Sequence, residues 1–93
     1  MIRSFADRKT HRLFRDGRCP AAWRAFEAIA LRKLDMLDAA TALDDLRSPP
    51  GNRLEALKGA RKGQHSIRIN GQWRVCFRWT EDGAEDLEIT DYH

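Results

Sequence analysis

Cysteine is scarce in this chain. Cys19 and Cys76 lie far apart, in no C-x-x-C or Cys/His zinc spacing. That leaves no basis for a disulfide scaffold or a common zinc fold. It reads as two reduced thiols in a cytoplasmic protein. No apolar run approaches the ~20 residues needed to span a bilayer. The stretch Met1-Ile2-Arg3-Ser4-Phe5 also lacks the apolar core of a secretion signal. The expectation is a cytoplasmic protein with no membrane contact. Histidine is equally sparse: His11, His65 and His93 stand at no metal-ligand spacing. No G-x-G-x-x-G, P-loop or nucleophile elbow occurs, so nucleotide cofactors and serine-hydrolase chemistry find no support. Internal repeats and low-complexity tracts are missing as well.

What is present fits one small domain spanning residues 1–93. Hydrophobic residues make up 42% of the chain and three are tryptophan, which argues for a folded globule. The formal charge is +3 and the pI about 9.2, a mildly basic balance that favours an acidic partner such as RNA. Two of the three prolines stand together in Ser48-Pro49-Pro50-Gly51-Asn52. That run stops any helix and separates a helical half from a strand half. Neither half buries a core alone, so the break is a loop within one domain.

In the helical half, Asp7 caps a helix that runs to about Asp16 and stops at Gly17. His11, Arg12 and Arg15 make it basic. Pro20 opens a longer helix, where its missing N–H costs nothing. Trp23, Phe26, Ala30, Leu34 and Leu37 recur at spacings of three and four and form one apolar stripe. Leu31 and Met36 interrupt the polar side, as scattered surface residues or as part of a partner surface. Residues 41–46 read as one further helical turn, signalled by Thr41, Asp44 and Asp45. Residues 2–5 alternate and read as a short strand.

From Gln64 the period becomes two. Ile67 and Ile69 alternate with polar residues, as do Trp73, Val75, Phe77 and Trp79, and then Leu87 and Ile89. Asn70-Gly71 and Glu81-Asp82-Gly83 mark the hairpins. A two-residue turn at Asn70-Gly71 would pair Ile67 with Arg74 and split the core face. The connection must therefore have odd length, with a bulge. Arg68 and Arg74 then share one face, and Ile67, Trp73 and Val75 the other. Centring the second turn on Gly83 sets Phe77 opposite Ile89, Arg78 opposite Glu88, and Arg74 opposite Tyr92. The fold expected is α+β: an N-terminal strand and helices packed on one face of an antiparallel sheet formed with the C-terminal strands.

The open face then carries Arg68, Arg74, Arg78, Glu88, Thr90 and Tyr92, with Lys58, Arg61 and Lys62 near its rim and His93 following Tyr92. One reading is a solvated face of cross-strand ion pairs such as Arg78 with Glu88, each worth ~0–1 kcal/mol. The other is phosphodiester cleavage. RNA self-cleavage needs a base for the 2′-hydroxyl, an acid for the leaving 5′ oxygen and cations for the phosphorus oxygens. Arginine suits the last role, and tyrosine and histidine suit the others. Pattern alone leaves both readings open. His11 reads as a solvated helix residue, while His65 stays ambiguous.

A longer match is carried by three runs. They are Gly51-Asn52-Arg53-Leu54-Glu55-Ala56-Leu57-Lys58-Gly59, then Arg61-Lys62-Gly63-Gln64-His65-Ser66-Ile67-Arg68-Ile69-Asn70, then Gln72-Trp73-Arg74-Val75-Cys76-Phe77-Arg78-Trp79. The terminal Asp91-Tyr92-His93 completes it. In these the chain resembles the HigB-type toxins of the RelE/ParE superfamily of bacterial toxin–antitoxin modules. The resemblance implies a RelE-like fold and cleavage of mRNA on the translating ribosome, with no metal or cofactor. It implies as partner a HigA-like helix-turn-helix antitoxin, through which alone the complex would meet operator DNA. It assigns Lys58 and Arg68 to the RNA backbone, with Lys62 beside them, Arg74 to the phosphorane, and Tyr92 and His93 to proton transfer and substrate orientation. Some relatives carry a histidine where this chain has Glu55, so Glu55 enters as a possible base, bystander or cap. Two alternatives remain within the superfamily: a ParE-like gyrase poison, and a degenerate module that only binds its antitoxin.

Overall fold

Helical spacing in the first half of the chain and alternation in the second produce two layers, helices over a sheet. The computed structural model describes residues 1–91. Helix α1 runs Arg8–Asp16 and α2 Glu27–Ala39; the sheet is β1 (Glu55–Ala56), β2 (His65–Arg68), β3 (Arg74–Thr80) and β4 (Gly83–Thr90). The strands lie in the order β1-β2-β3-β4, each antiparallel to its neighbour. This is the expected α+β architecture. The two-residue strand β1 was not foreseen; its exposed residues offer no alternation to read.

The apolar stripe behaves as its spacing requires. Trp23, Phe26, Ala30, Leu34 and Leu37 are all buried, against Ile67, Val75, Phe77, Leu87 and Ile89 of the sheet. Trp73 adds its ring to those of Trp23 and Phe26, at centroid distances of 6.3 and 5.3 Å. Leu31 and Met36 are half-buried and pack on this cluster, so they are neither scattered surface residues nor a free patch. The segment after Pro20 departs from expectation: Ala21–Phe26 is 3₁₀-helical, and α2 begins only after Phe26, whose ψ of 16° breaks the regular run.

Helix ends follow local chemistry. Gly17 closes α1 at φ 70°, a left-handed conformation that glycine adopts without a Cβ penalty. Asp7 occupies the N-cap position, but its side chain makes no capping bond. The turn expected at 41–46 is a 3₁₀ segment, Leu43–Arg47. The Asp45 carboxylate accepts the N–H groups of Thr41 and Ala42 and the Thr41 hydroxyl, and these bonds hold it below the ordinary aspartate range.

The β2–β3 connection has the predicted odd length, so Arg68 pairs with Arg74 and Ile67 with Val75. Asn70 shapes it by accepting the N–H groups of Gln72 and Trp73. The β3–β4 register differs from expectation. Arg74 faces Thr90 instead of Tyr92, Val75 faces Ile89, and Cys76 rather than Arg78 faces Glu88. A tight turn pairs Thr80 with Gly83, and a bulge then sets Phe77 against both Asp86 and Leu87. Asp86 takes φ 55° at this bulge. Along Arg74–Cys76 the displacement is two residues, so these side chains and their β4 partners keep their predicted faces; beyond the bulge it is three, and Arg78 faces Glu85.

Residues 2–5 also depart from expectation. They form no regular strand but touch β4 through isolated parallel bridges, Ile2 with Ala84 and Phe5 with Leu87. Between these bridges the Ser4 hydroxyl accepts the N–H of Asp86 at 2.9 Å, filling the gap in the ladder. At Gly83 the chain start approaches so closely that a Cβ would meet the Met1 carbonyl oxygen.

Candidate functional site

The open face of the sheet is built from two cross-strand rungs. Direct pairing lines up Glu55, Ser66, Cys76 and Glu88 across β1 to β4. The next rung holds Arg68, Arg74 and Thr90. Alternation puts both rungs on the side away from the tryptophans.

Arg74 is held from the first rung. Its Nη1 donates to the Ser66 hydroxyl at 3.4 Å and lies 3.9 Å from the Glu55 carboxylate. At the far end, Arg61 Nη1 donates to Glu88 at 3.0 Å and to the Gln64 side chain at 3.2 Å. The sequence-based pairing of Arg78 with Glu88 is therefore replaced. Arg61 takes Glu88, and Arg78 lies 3.7 Å from Asp86, because the register shift moves Glu88 alongside Cys76. Ser66 and Cys76 form a fully buried floor between these guanidiniums. Burial pushes the Cys76 thiol up to about 11, with Arg61 and Arg74 opposing the rise and Glu88 and Glu55 adding to it. It stays a neutral thiol at physiological pH and no nucleophile.

The sequence-derived site residues divide into three groups. The structure brings Arg68, Arg74 and Glu55 together, with Glu55 as an ion-pair partner of Arg74. Lys58 and Lys62 are exposed in the connection between β1 and β2, and neither pairs with a carboxylate among the described residues. Tyr92 and His93 lie outside the described residues. The residue before them, Asp91, accepts a hydrogen bond from Gln72 at 2.9 Å, which ties the end of β4 to the β2–β3 connection.

Ser66 and the Arg61–Glu88 pair were missed as site components. Ser66 had a readable signal, since it alternates with Ile67 onto the face of Arg68. Arg61 was legible only as a rim residue, because its pairing with Glu88 depends on a 3₁₀ turn, Gly59–Arg61, and on the register of β4. The other histidines do not join the site. His11 stacks on Phe5 at 4.8 Å, and His65 lies against Phe77 at 6.2 Å. Among the described residues, no group of three or more His, Cys, Asp or Glu side chains is placed to hold a metal ion.

Two guanidiniums opposed on neighbouring strands repel each other unless an anion lies between them. A planar fork beside a second cation matches a phosphate. An antiparallel sheet covered by helices on one face, with opposed arginines on the other, is an α+β protein of the kind the RelE-like resemblance implies. Comparison with known sequences agrees. The profile of RelE-like HigB toxins from type II toxin–antitoxin systems matches residues 3–93. Toxin HigB-1 of Vibrio cholerae is 46% identical over 80 residues, covering 86% of this chain and 76% of the relative. Endoribonuclease HigB of Proteus vulgaris is 34% identical over 61 residues, 66% of this chain and 65% of the relative. An uncharacterized Haemophilus influenzae protein is 39% identical over 61 residues, 66% of this chain and 60% of its own length. The chain belongs to the family of RelE-like HigB toxins of type II toxin–antitoxin systems. A ParE-like gyrase poison is not favoured by these matches. No helix among the described residues is long and apolar enough to cross a membrane.

Proposed function

We propose that this chain, as one toxin domain over residues 1–93, is an endoribonuclease that cuts mRNA on the ribosome in the cytoplasm and is neutralised by a HigA-like helix-turn-helix antitoxin. The carrying observation is the Arg68–Arg74 pairing, with Arg74 braced by Ser66 and Glu55. The name of the Proteus vulgaris relative supports the reaction class.

In the reaction, the 2′-oxygen loses its proton to a base and attacks the adjacent phosphorus. The bond to the 5′ oxygen breaks, and that oxygen leaves with a proton from an acid. The products are a 2′,3′-cyclic phosphate and a 5′-hydroxyl. Arg74 stabilises charge on the non-bridging oxygens, an effect that grows toward the transition state. Arg68, Lys58 and Lys62 hold the backbone. Tyr92 and His93 supply proton transfer and substrate orientation, with no metal required. The open sheet face offers no deep cleft to align a mobile strand, so a message already held by the ribosome supplies the missing orientation. Operator DNA is met only through the antitoxin.

The test is expression from a tightly controlled promoter while growth and mRNA ends are followed. Wild type should arrest growth and create new 5′-hydroxyl ends. Arg74→Ala and a chain lacking His93 should do neither. Unchanged toxicity in both variants removes this site, and toxicity with intact mRNA removes the nuclease reading.

A further inference from the structure

The register of β4 sets a carboxylate beside the arginine rung. Glu88 faces Cys76 and Thr90 faces Arg74, so Glu88 is the diagonal neighbour of Arg74 on the open face. Diagonal positions of an antiparallel pair lie ~7–8 Å apart, within reach of long side chains. Left unheld, Glu88 has the Arg74 guanidinium within reach, and a carboxylate on that fork takes the geometry a phosphate needs.

Arg61 takes this carboxylate instead. Its Nη1 donates to Glu88 Oε1 at 3.0 Å and to Gln64 Oε1 at 3.2 Å. The two side chains of the ion pair are 29% and 33% exposed, so water screens their attraction less than on an open surface. The backbone fixes the donor. Arg61 ends the 3₁₀ turn Gly59–Arg61; its N–H donates to the Lys58 carbonyl, and its own carbonyl accepts the N–H of Gln64. The guanidinium thus reaches β4 from a turn tied on both sides.

The buried Cys76 thiol marks how closely the charges gather. Arg61, Glu88, Arg74 and Glu55 all lie near enough to act on its titration. Around so small a floor Glu88 has two guanidiniums to choose from, and its hydrogen bond is to Arg61. The other carboxylate, Glu55, stands 3.9 Å from Arg74. That contact is longer than the charge-assisted bonds a phosphate makes, so substrate outcompetes it.

We propose that Arg61 is a positioning residue for cleavage: it captures the Glu88 carboxylate and holds it away from Arg74, where the scissile phosphate binds. This assignment rests on the endoribonuclease reading above and gives Arg61 no contact with RNA. Arg61 acts on the reaction only through Glu88 and Arg74.

The experiment measures single-turnover cleavage of message on programmed ribosomes by the full chain, at half-saturating and saturating toxin. Arg61→Ala should slow cleavage at saturation by roughly tenfold, as Arg74 loses part of its hold on the transition state. Arg61→Gln, with an uncharged amide donor, should behave alike and serves if the alanine variant folds poorly. Arg61→Lys keeps a cation for Glu88 and should retain most of the rate. Arg61→Ala/Glu88→Gln has no carboxylate to misdirect and should recover most of it too, although the ion pair is still missing. In an Arg74→Ala background Arg61→Ala should cause no further loss, because two residues acting as a unit are not additive. Urea midpoints of all variants confirm that the rates belong to folded protein. A variant Arg61→Ala/Glu88→Gln as slow as Arg61→Ala overturns the inference, since Arg61 would then touch RNA or merely fasten its turn. So do losses from Arg61→Ala and Arg74→Ala that multiply, and an Arg61→Ala rate equal to wild type. Wild type that leaves the message whole overturns the endoribonuclease reading, and the assignment of Arg61 with it.

Discussion

Arg68 and Arg74 face each other directly across β2 and β3. Like charges in that position oppose folding, and neighbouring strands offer simple ways to avoid them. Under the proposed function the pair trades stability for a phosphate seat. Arg68→Thr should leave urea stability unchanged or raise it by ~0.2–1 kcal/mol, the scale of one cross-strand pair. The same variant should weaken RNA binding. A parallel fall in stability and binding would show that Arg68 is chiefly a structural residue.

Ser66 separates orientation from charge. It is fully buried and holds Arg74 Nη1. Arg74→Ala should slow single-turnover cleavage by about 10²–10³, as loss of one preorganised oxyanion donor does. Ser66→Ala keeps the guanidinium but removes its hydroxyl brace, and should slow cleavage by roughly tenfold, about 1.4 kcal/mol of barrier, with RNA affinity unchanged. Equal losses in affinity and rate would mean that Ser66 supports the sheet rather than Arg74.

The period change at Gln64 made the sheet legible, and the spacing from Trp23 to Leu37 made its helical cover legible. Parity made the arginine rung legible, because an odd connection was the only way to keep Ile67 and Val75 on one side. The bulge at Phe77 was not legible. Asp86 carries its left-handed backbone without the glycine that would announce it. The β4 register moved for two reasons: the turn pairs Thr80 with Gly83 instead of centring on Gly83, and the bulge takes up one more residue, so Glu88 comes beside Cys76 and pairs with Arg61. β1 was hidden for another reason: so short a strand is defined by its partner β2, not by its own pattern. Buried polar bonds such as Lys33 to Asn52 were invisible as well, since their partners come together only in the packed chain.

That Lys33–Asn52 bond yields a stability prediction. Asn52 is fully buried; its Oδ1 accepts from Lys33 Nζ at 2.5 Å, and its Nδ2 donates to the carbonyls of Leu46 and Ser48. Burial, with Arg32 nearby, lowers the Lys33 pKa from its ordinary value. Asn52→Ala strands a buried ammonium and two carbonyls at once. It should cost about 2–4 kcal/mol, above the ~1–3 kcal/mol of a single orphaned group, in urea or thermal unfolding. A loss below ~1 kcal/mol would mean that water replaces the amide there.

Cys76 carries the pH prediction. Burial holds its thiol at about 11, against about 9 in an unfolded chain. Between those values the unfolded state releases a proton that the native state keeps. Stability from this group is thus complete below pH ~9 and falls as pH rises toward ~11. Cys76→Ala removes the titrating group, so its unfolding free energy should decline less steeply over that window than wild type, whatever its absolute stability. Denaturant melts at half-unit pH steps measure the difference. The same burial should protect native Cys76 from iodoacetamide at pH 8 and expose it to alkylation on unfolding. Rapid native labelling of Cys76, or parallel pH profiles for the two proteins, would show that the floor beneath Arg61 and Arg74 opens to solvent.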